Sequence, residues 1–188
     1  MNDKLINDEI KIIEAASRGD IKAYEELINR YQKKIYATAY YILLDSDEAD
    51  DIVQAVFITL WKSLSKLKSS GKFRTWLYRI TVNKAIDAIR GRKKMSSADL
   101  ELIQIDQEEK VVMKHDIRKI ISRVIAILPE QQRVVLVLKD IEGFEMSEIA
   151  KIMKISESTV RSHLSLARQN FQKELNAKFP EYRIQKGE

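Results

Sequence analysis

Residues 146–171 read MSEIAKIMKISESTVRSHLSLARQNF, and the spacing within this stretch decides the fold. Ile149, Ala150, Ile152 and Met153 recur at helical intervals, and Val160, Leu164 and Ala167 do so again after a break at Lys154-Ile155-Ser156. Two short helices joined by a tight turn form a helix-turn-helix pattern. Ser147 is placed to cap the first helix and Ser156 the second, each hydroxyl accepting from an otherwise unpaired amide. Ala150 is small enough to let the helices cross closely. The second helix keeps Glu157, Ser158, Thr159, Arg161, Ser162, Ser165 and Arg168 on or beside its polar side. Short hydroxyls and arginines there suit base edges and phosphates in a major groove. A plain helical hairpin would show the same polarity toward water, but the Ala150, Ile155 and Val160 spacing favours DNA. His163 has no acid or nucleophile patterned with it, so it is a surface or phosphate-contacting residue rather than a catalyst.

Working outward, the remaining chain is also helical in period. Ile10, Ile13 and Ala16 precede a break at Arg18-Gly19-Asp20, and Tyr24, Leu27, Ile28, Tyr31, Ile35, Ala39 and Ile42 form the next stripe. Leu44-Asp45-Ser46-Asp47 reads as a turn and an acidic helix start. Ile52, Val53, Val56, Phe57, Leu60, Trp61 and Leu64 then line one side of a third helix. After Ser69-Ser70-Gly71, the residues Phe73, Trp76, Leu77, Ile80, Ala85, Ile86 and Ile89 define a fourth, expected to end near Gly91. Residues 95–113 are acidic, lack a sustained stripe and read as a linker. Beyond them, Ile117 to Leu128 form a helix stopped by Pro129, and Val134, Val135, Leu138 and Ile141 form another stopped near Gly143. The expected architecture is all-α: domains at 8–94 and 115–178, an acidic linker at 95–114, and a tail at 179–188.

The 188 residues carry a formal net charge of +5, unevenly spread. Residues 72–94 hold eight basic side chains (Lys72, Arg74, Arg79, Lys84, Arg90, Arg92, Lys93, Lys94) against the single acid Asp87. The rest of the chain is close to balanced. Such a block suits phosphates through counterion release, although a solvated helix face can look alike. With no cysteine and only two histidines, thiol nucleophiles, Cys-type zinc clusters and a histidine-rich metal centre are excluded. No carboxylate pair on a defined pocket and no phosphate-cradling glycine loop nominates a catalytic residue, a metal or a cofactor. The opening MNDKLINDEI is charged where a secretory signal needs an apolar run, and no stretch approaches ~18 apolar residues. The expectation is a cytoplasmic protein that does not insert in a membrane.

Three blocks together resemble the extracytoplasmic-function (ECF) group of bacterial RNA polymerase sigma factors. They are DEADDIVQAVFITLWKSL (residues 47–64), FRTWLYRITVNKAIDAIR (73–90) and LPEQQRVVLVLKDIEGFEMSEIAKIMKISESTVRSHLSLAR (128–168). The resemblance implies binding to core RNA polymerase through the first block, with Asp50, Asp51 and Gln54 as polar contacts and Phe57 as apolar area. Phe57, like Val56, also reads as domain core. The second block and the loop before it would read the promoter's −10 element. Ser69, Ser70, Gly71 and Lys72 would form the base-trapping loop, Asn83 would read a base, and Arg74, Arg79, Lys84 and Arg90 would hold phosphates. Extruding a base costs a few kcal/mol, which stacking and hydrogen bonds in a pocket offset. Trp76 reads as core at least as readily as a base platform. The third block would read the −35 element through Ser158, Thr159, Arg161, Ser162, Ser165 and Arg168. An anti-sigma factor masking these faces is also implied.

Three positions depart from the family pattern. Its Gln-Glu pair is Gln54-Ala55 here, its common turn glycine is Lys154, and an arginine is replaced by Leu166. A left-handed backbone at a non-glycine residue such as Lys154 costs about 1 kcal/mol. Two other classes compete with this reading. A free-standing regulator would not need the Trp76/Asn83/Asp87/Arg90 constellation, and an enzyme lacks a nominated nucleophile.

Overall fold

The computed structural model describes residues 2–67, 72–96 and 117–182. These residues are helical throughout, without a strand among them, and fall into an N-terminal and a C-terminal bundle. In the first, α1 spans Asn2–Ser17, α2 Ile21–Leu43, α3 Ser46–Ser63 and α4 Phe73–Ser96. The breaks follow from local chemistry. Gly19 sits at φ 95°, and Asp20 then caps α2 by accepting from the Ala23 amide at 3.1 Å. Leu44 closes α2 in the left-handed region with its amide on the Tyr40 carbonyl at 2.7 Å, and Asp45 caps α3 by accepting from the Glu48 amide at 2.9 Å. Leu27, Tyr31, Ile35, Ala39 and Ile42 of α2 are buried with Ile52, Val56, Leu60 of α3 and Leu77, Val82, Ala85 of α4. Each fully buried Leu, Ile or Val contributes roughly 1.5–3 kcal/mol, so this seam holds the bundle together.

The C-terminal bundle contains α5 (Ile117–Ala126), α6 (Glu130–Leu136), α7 (Met146–Met153) and α8 (Glu157–Lys178). Pro129 opens α6, where its missing amide costs nothing. Between α6 and α7 the backbone widens over Val137–Ile141, with the Glu142 amide reaching back to the Val137 carbonyl at 3.0 Å. Lys154 does adopt the left-handed turn conformation, at φ 56° and ψ 44°. Ser156 caps α8, its hydroxyl accepting from the Thr159 amide at 3.1 Å. Ala150, Ile152, Val160, Leu164 and Ala167 pack the two helices together. The all-α architecture with a C-terminal helix-turn-helix is therefore the observed one.

Four local expectations differ from the structure. Helix α4 runs through Gly91 to Ser96, because a helical glycine costs only about 1 kcal/mol and the flanking residues continue the helix. Its last residues occupy the first positions expected of the linker, whose remainder lies largely outside the described residues. The cap of α7 is Glu145 rather than Ser147: the Glu148 carboxylate accepts from the Glu145 amide at 2.9 Å, fixing the helix start two residues earlier. Trp61, expected on the buried stripe of α3, is half exposed.

Candidate nucleic-acid interface

On a helix of 3.6 residues per turn, positions 72, 76, 79, 83, 87 and 90 fall within a narrow arc. Lys72, Trp76, Arg79, Asn83, Asp87 and Arg90 therefore form one ridge along α4 and the turn before it, with Lys72, Asn83, Asp87 and Arg90 exposed and Trp76 and Arg79 partly so. The opposite side carries Phe73, Leu77, Thr81 and Ala85 into the core. Burial of that side fixes the rotation of α4 and so aims the ridge outward. Trp76 lies against Phe73, with ring centroids 6.2 Å apart, and is neither fully core nor free. Lys84 sits at the margin of the ridge. Among the described residues Lys72, Arg79 and Arg90 make no ion pair, which leaves three cations along the arc, with Lys84 at its margin, for an anionic partner. Ser69, Ser70 and Gly71 lie outside the described residues.

Arg74 is not on this ridge. It projects from the other side of α4, where its guanidinium stands 3.9 Å from the centroid of the Phe144 ring and donates to the Glu142 carbonyl. Arg92, from the same basic block, reaches the Leu43 carbonyl at 3.3 Å and Glu48 at 3.3 Å. Part of the basic block thus holds the fold rather than facing solvent.

Along α8 the same arithmetic gathers Ser158, Arg161, Ser162, Ser165 and Arg168 on one exposed face, opposite the buried Val160, Leu164 and Ala167. Thr159 lies off this face: its hydroxyl is 2.8 Å from that of Ser156, and Ser158 joins the same cluster at 2.7 Å. The hydroxyl cluster orders the first turn, where backbone amides and the helix dipole favour anions. Arg161 pairs with Glu157 at 3.5 Å, one turn earlier. Arg168 is forked onto the Asp140 carboxylate, at 2.6 and 3.0 Å, and that hydrogen bond raises its pKa.

A third exposed face lies on α3. Asp47, Asp50, Asp51, Gln54, Ile58 and Trp61 share an arc. Phe57 sits just beyond its edge and turns inward; its side chain is buried and its carbonyl accepts from the Tyr24 hydroxyl at 2.6 Å. Trp61 stacks edge-on against Tyr24 at 4.8 Å, and Ile58 and Ile21 are more than half exposed nearby in sequence. The stripe reading missed Ile58 and Trp61 as surface residues. The signal was available: Asp51, Gln54 and Ile58 follow each other at intervals of three and four, which continues a polar arc into apolar residues.

The two bundles meet along α4. The Glu142 carboxylate accepts from Thr38 of α2 at 2.9 Å and from Tyr78 of α4 at 2.5 Å. Phe144 is fully buried, edge-on to Tyr78 at 4.7 Å. Burial, then the nearby Glu142 charge and the hydrogen bond to it, push the Tyr78 hydroxyl well above the usual tyrosine range. Thr75 of α4 meets Glu148 of α7 at 3.4 Å. Arg133 of α6 donates to the Ile42 carbonyl at 2.9 Å, crossing the seam to the C-terminal end of α2. A cleft of about 310 Å³ opens beside these contacts, lined by Asn83, Ile86, Asp87 and Arg90 on one side and by Gln131, Met153 and Lys154 on the other. No group of His, Cys, Asp and Glu among the described residues is arranged to hold a metal ion, and none of the described helices is long and apolar enough to cross a membrane.

Comparison with known proteins follows the same division. Residues 27–95 match the family model for Sigma-70 region 2, and residues 118–171 match that for Sigma-70, region 4. The chain is 32% identical over 178 residues to the RNA polymerase sigma-H factor of Pseudomonas aeruginosa, covering 88% of this chain and 92% of that protein. It is 33% identical over 172 residues to the ECF RNA polymerase sigma-E factor of Escherichia coli, covering 84% and 89%. Among solved structures, the fold is similar to the sigma factor RpoE in complex with the anti-sigma factor NepR from Bartonella quintana, with a TM-score of 0.70, 21% identity, and coverage of 84% of this chain and 99% of that one. It is also similar to CnrH in complex with the cytosolic domain of CnrY, with a TM-score of 0.68, 22% identity, and coverage of 90% and 98%. With both domains matched in order and two sigma factors matched over nearly their whole length, the chain belongs to the ECF family of bacterial RNA polymerase sigma factors.

Proposed function

We propose that this sigma factor divides its work among three helix faces. The α3 face of Asp50, Asp51, Gln54, Ile58 and Trp61 binds core polymerase, with half-exposed Trp61 supplying apolar area of the kind that anchors interfaces. The α4 ridge reads and helps open the −10 element. Asn83 contacts a base, Trp76 offers a ring edge, and Lys72, Arg79 and Arg90 hold phosphates, with Lys84 at the margin. The α8 face reads the −35 element, Ser158, Ser162 and Ser165 toward base edges and Arg161 and Arg168 toward phosphates or guanine. Thr159 orders the helix start instead of contacting DNA, and Phe57 supports α3 from within. The observation that carries this reading is the α4 ridge, where cations, a tryptophan and an exposed asparagine share one arc of a helix whose other side is buried.

The relatives are transcription-initiation factors, and this chain acts as one, without chemistry of its own. It works in the cytoplasm, where core polymerase and promoter DNA are found. Both similar solved structures hold a protein partner, named as an anti-sigma factor in the RpoE complex, and a partner of that class covering the α3 and α4 faces is the expected restraint on this chain.

Asn83→Ala and Arg161→Ala separate the roles. Each changes which promoters are used while binding to core polymerase, measured by fluorescence anisotropy, stays within about two-fold. Equal loss of both activities in either variant contradicts the assignment.

A further inference from the structure

We propose that Leu166 reads a thymine of the −35 element, its side chain seated on the C5-methyl group in the major groove, and so sets promoter choice at one base pair. The proposal rests on the reading of α8 as the −35 helix. Leu166 is one of the few large apolar side chains left outside the core, 47% exposed. Burial of Val160, Leu164 and Ala167 fixes which way α8 faces outward. At 3.6 residues per turn, Leu166 stands about 50° from the middle of the outward arc, against about 90° for Arg161 and about 110° for Arg168. The leucine therefore faces a docked groove more directly than either arginine of this helix.

Its surroundings say what it fits. The positions one turn away on either side are Ser162, His163, Gln169 and Asn170, all polar. Lone exposed leucines are common on protein surfaces, and this one gains a role from its place on the arc that meets DNA. A protein docking site gathers several apolar side chains, whereas a single one amid polar neighbours matches a target with a single apolar feature. Base edges in the major groove have one such feature, the thymine methyl. Ser162 narrows the choice further. Its hydroxyl donates to the Ser158 carbonyl at 3.1 Å, so in this arrangement it offers DNA only lone pairs. Those accept from a base amino group, and an A·T pair carries a methyl and an amino group on one edge. Arg168 is forked onto Asp140, at 2.6 and 3.0 Å, so the guanine-reading donors nearest Leu166 along the chain are already engaged.

The test uses the whole chain with core polymerase and a pool of promoter duplexes whose upstream element is randomised. Fragments retained by wild type are expected to share a thymine that is lost from the pool retained by Leu166→Ala. Leu166→Arg is expected to replace it with guanine, whose O6 and N7 take a guanidinium. The tightest wild-type fragment is then made with deoxyuridine in place of each thymine in turn, which removes one methyl group and leaves every hydrogen-bonding group in place. Wild type is expected to bind about three- to four-fold more weakly at one of these positions, the worth of one buried methyl, while Leu166→Ala binds both duplexes alike. Because Leu166 is exposed, the alanine variant should fold as wild type does, and its binding to core polymerase by anisotropy should stay within about two-fold. Uniform tolerance of deoxyuridine, or a Leu166→Ala pool with the same thymine and the same sensitivity, overturns the proposal and leaves the sigma assignment standing. A wild-type pool with no shared upstream bases means that α8 does not read the −35 element, and the proposal falls with that reading.

Discussion

Arg133 offers a sharp test of how the domains are held. Its Nη1 donates to the Ile42 carbonyl at 2.9 Å, and its Nη2 donates to those of Ala126 at 2.9 Å and Leu128 at 3.1 Å. One side chain thus ties the ends of α2 and α5 and the turn after α5, placing positive charge where helix dipoles end negative. Burial lowers its pKa from the ordinary arginine value, Glu130 pulls the other way, and its Nε is buried without a partner among the described residues. Hydrogen bonds from a charged donor contribute about 1.5–3 kcal/mol each, so three at the low end give about 4.5 kcal/mol. Relief of the buried guanidinium and its orphaned Nε offsets about 1–2 kcal/mol of that. Arg133→Ala should therefore cost about 3 kcal/mol. For a chain of this length that lowers the Tm by roughly 6–12 °C, read by circular dichroism or calorimetry. Arg133→Lys, a single point donor without the fork, should recover only about a third of the loss. A shift below 2 °C for the alanine variant would refute the reasoning.

Three further outcomes follow from the geometry. Tyr31 and Tyr78 both have pKa values raised by burial and then by a carboxylate partner, Glu9 and Glu142 respectively. Above pH ~10 the unfolded chain loses these protons first and binds fewer than the folded one. Stability is thus fully present below the ordinary tyrosine value of 10.0 and falls as pH rises beyond it; a Tyr78→Phe variant should show a shallower fall in Tm between pH 10 and 11.5. Asp51→Arg and Trp61→Ala, both at exposed positions, should shift Tm by less than 3 °C yet weaken core polymerase binding at least ten-fold by anisotropy; unchanged affinity removes the α3 face from the interface. Asp140→Ala frees Arg168 from a pair that is half exposed and so contributes below about 1 kcal/mol, and should tighten −35 duplex binding several-fold with a steeper salt dependence; no change would show that Arg168 does not reach DNA.

What could be read from the sequence was whatever depends on neighbours along the chain. The stripe from Leu27 to Ile42, the break at Gly19-Asp20 and the Ser156 cap all follow from local spacing and local hydrogen bonds, and the structure has them, as it has the left-handed Lys154 that the family resemblance implied. The helix-turn-helix face was legible for the same reason, since burial of Val160, Leu164 and Ala167 fixes what the other side presents. The apolar run Val134–Leu138 has no helical phase to read, so nothing announced the widened turn that follows it. The Glu142 contacts across the seam were beyond reach because Thr38 and Glu142 stand 104 positions apart, and a carboxylate in a surface turn looks solvated until another domain supplies its donors. Arg74 shows the same limit: its charge was visible in the basic block, but its side of α4 belongs to Phe144. Trp61 and Phe57 exchange roles because they flank the boundary between the buried and exposed arcs of α3, where a small rotation of the helix decides which ring is covered.

The central claim is tested most directly by reconstituted transcription, combining the purified chain with bacterial core polymerase on fragmented genomic DNA and mapping the transcript ends. Discrete starts that share two spaced upstream elements, absent with core polymerase alone, are the predicted result. Starts identical to those of core polymerase alone, with the chain binding duplex DNA specifically by itself, would contradict it.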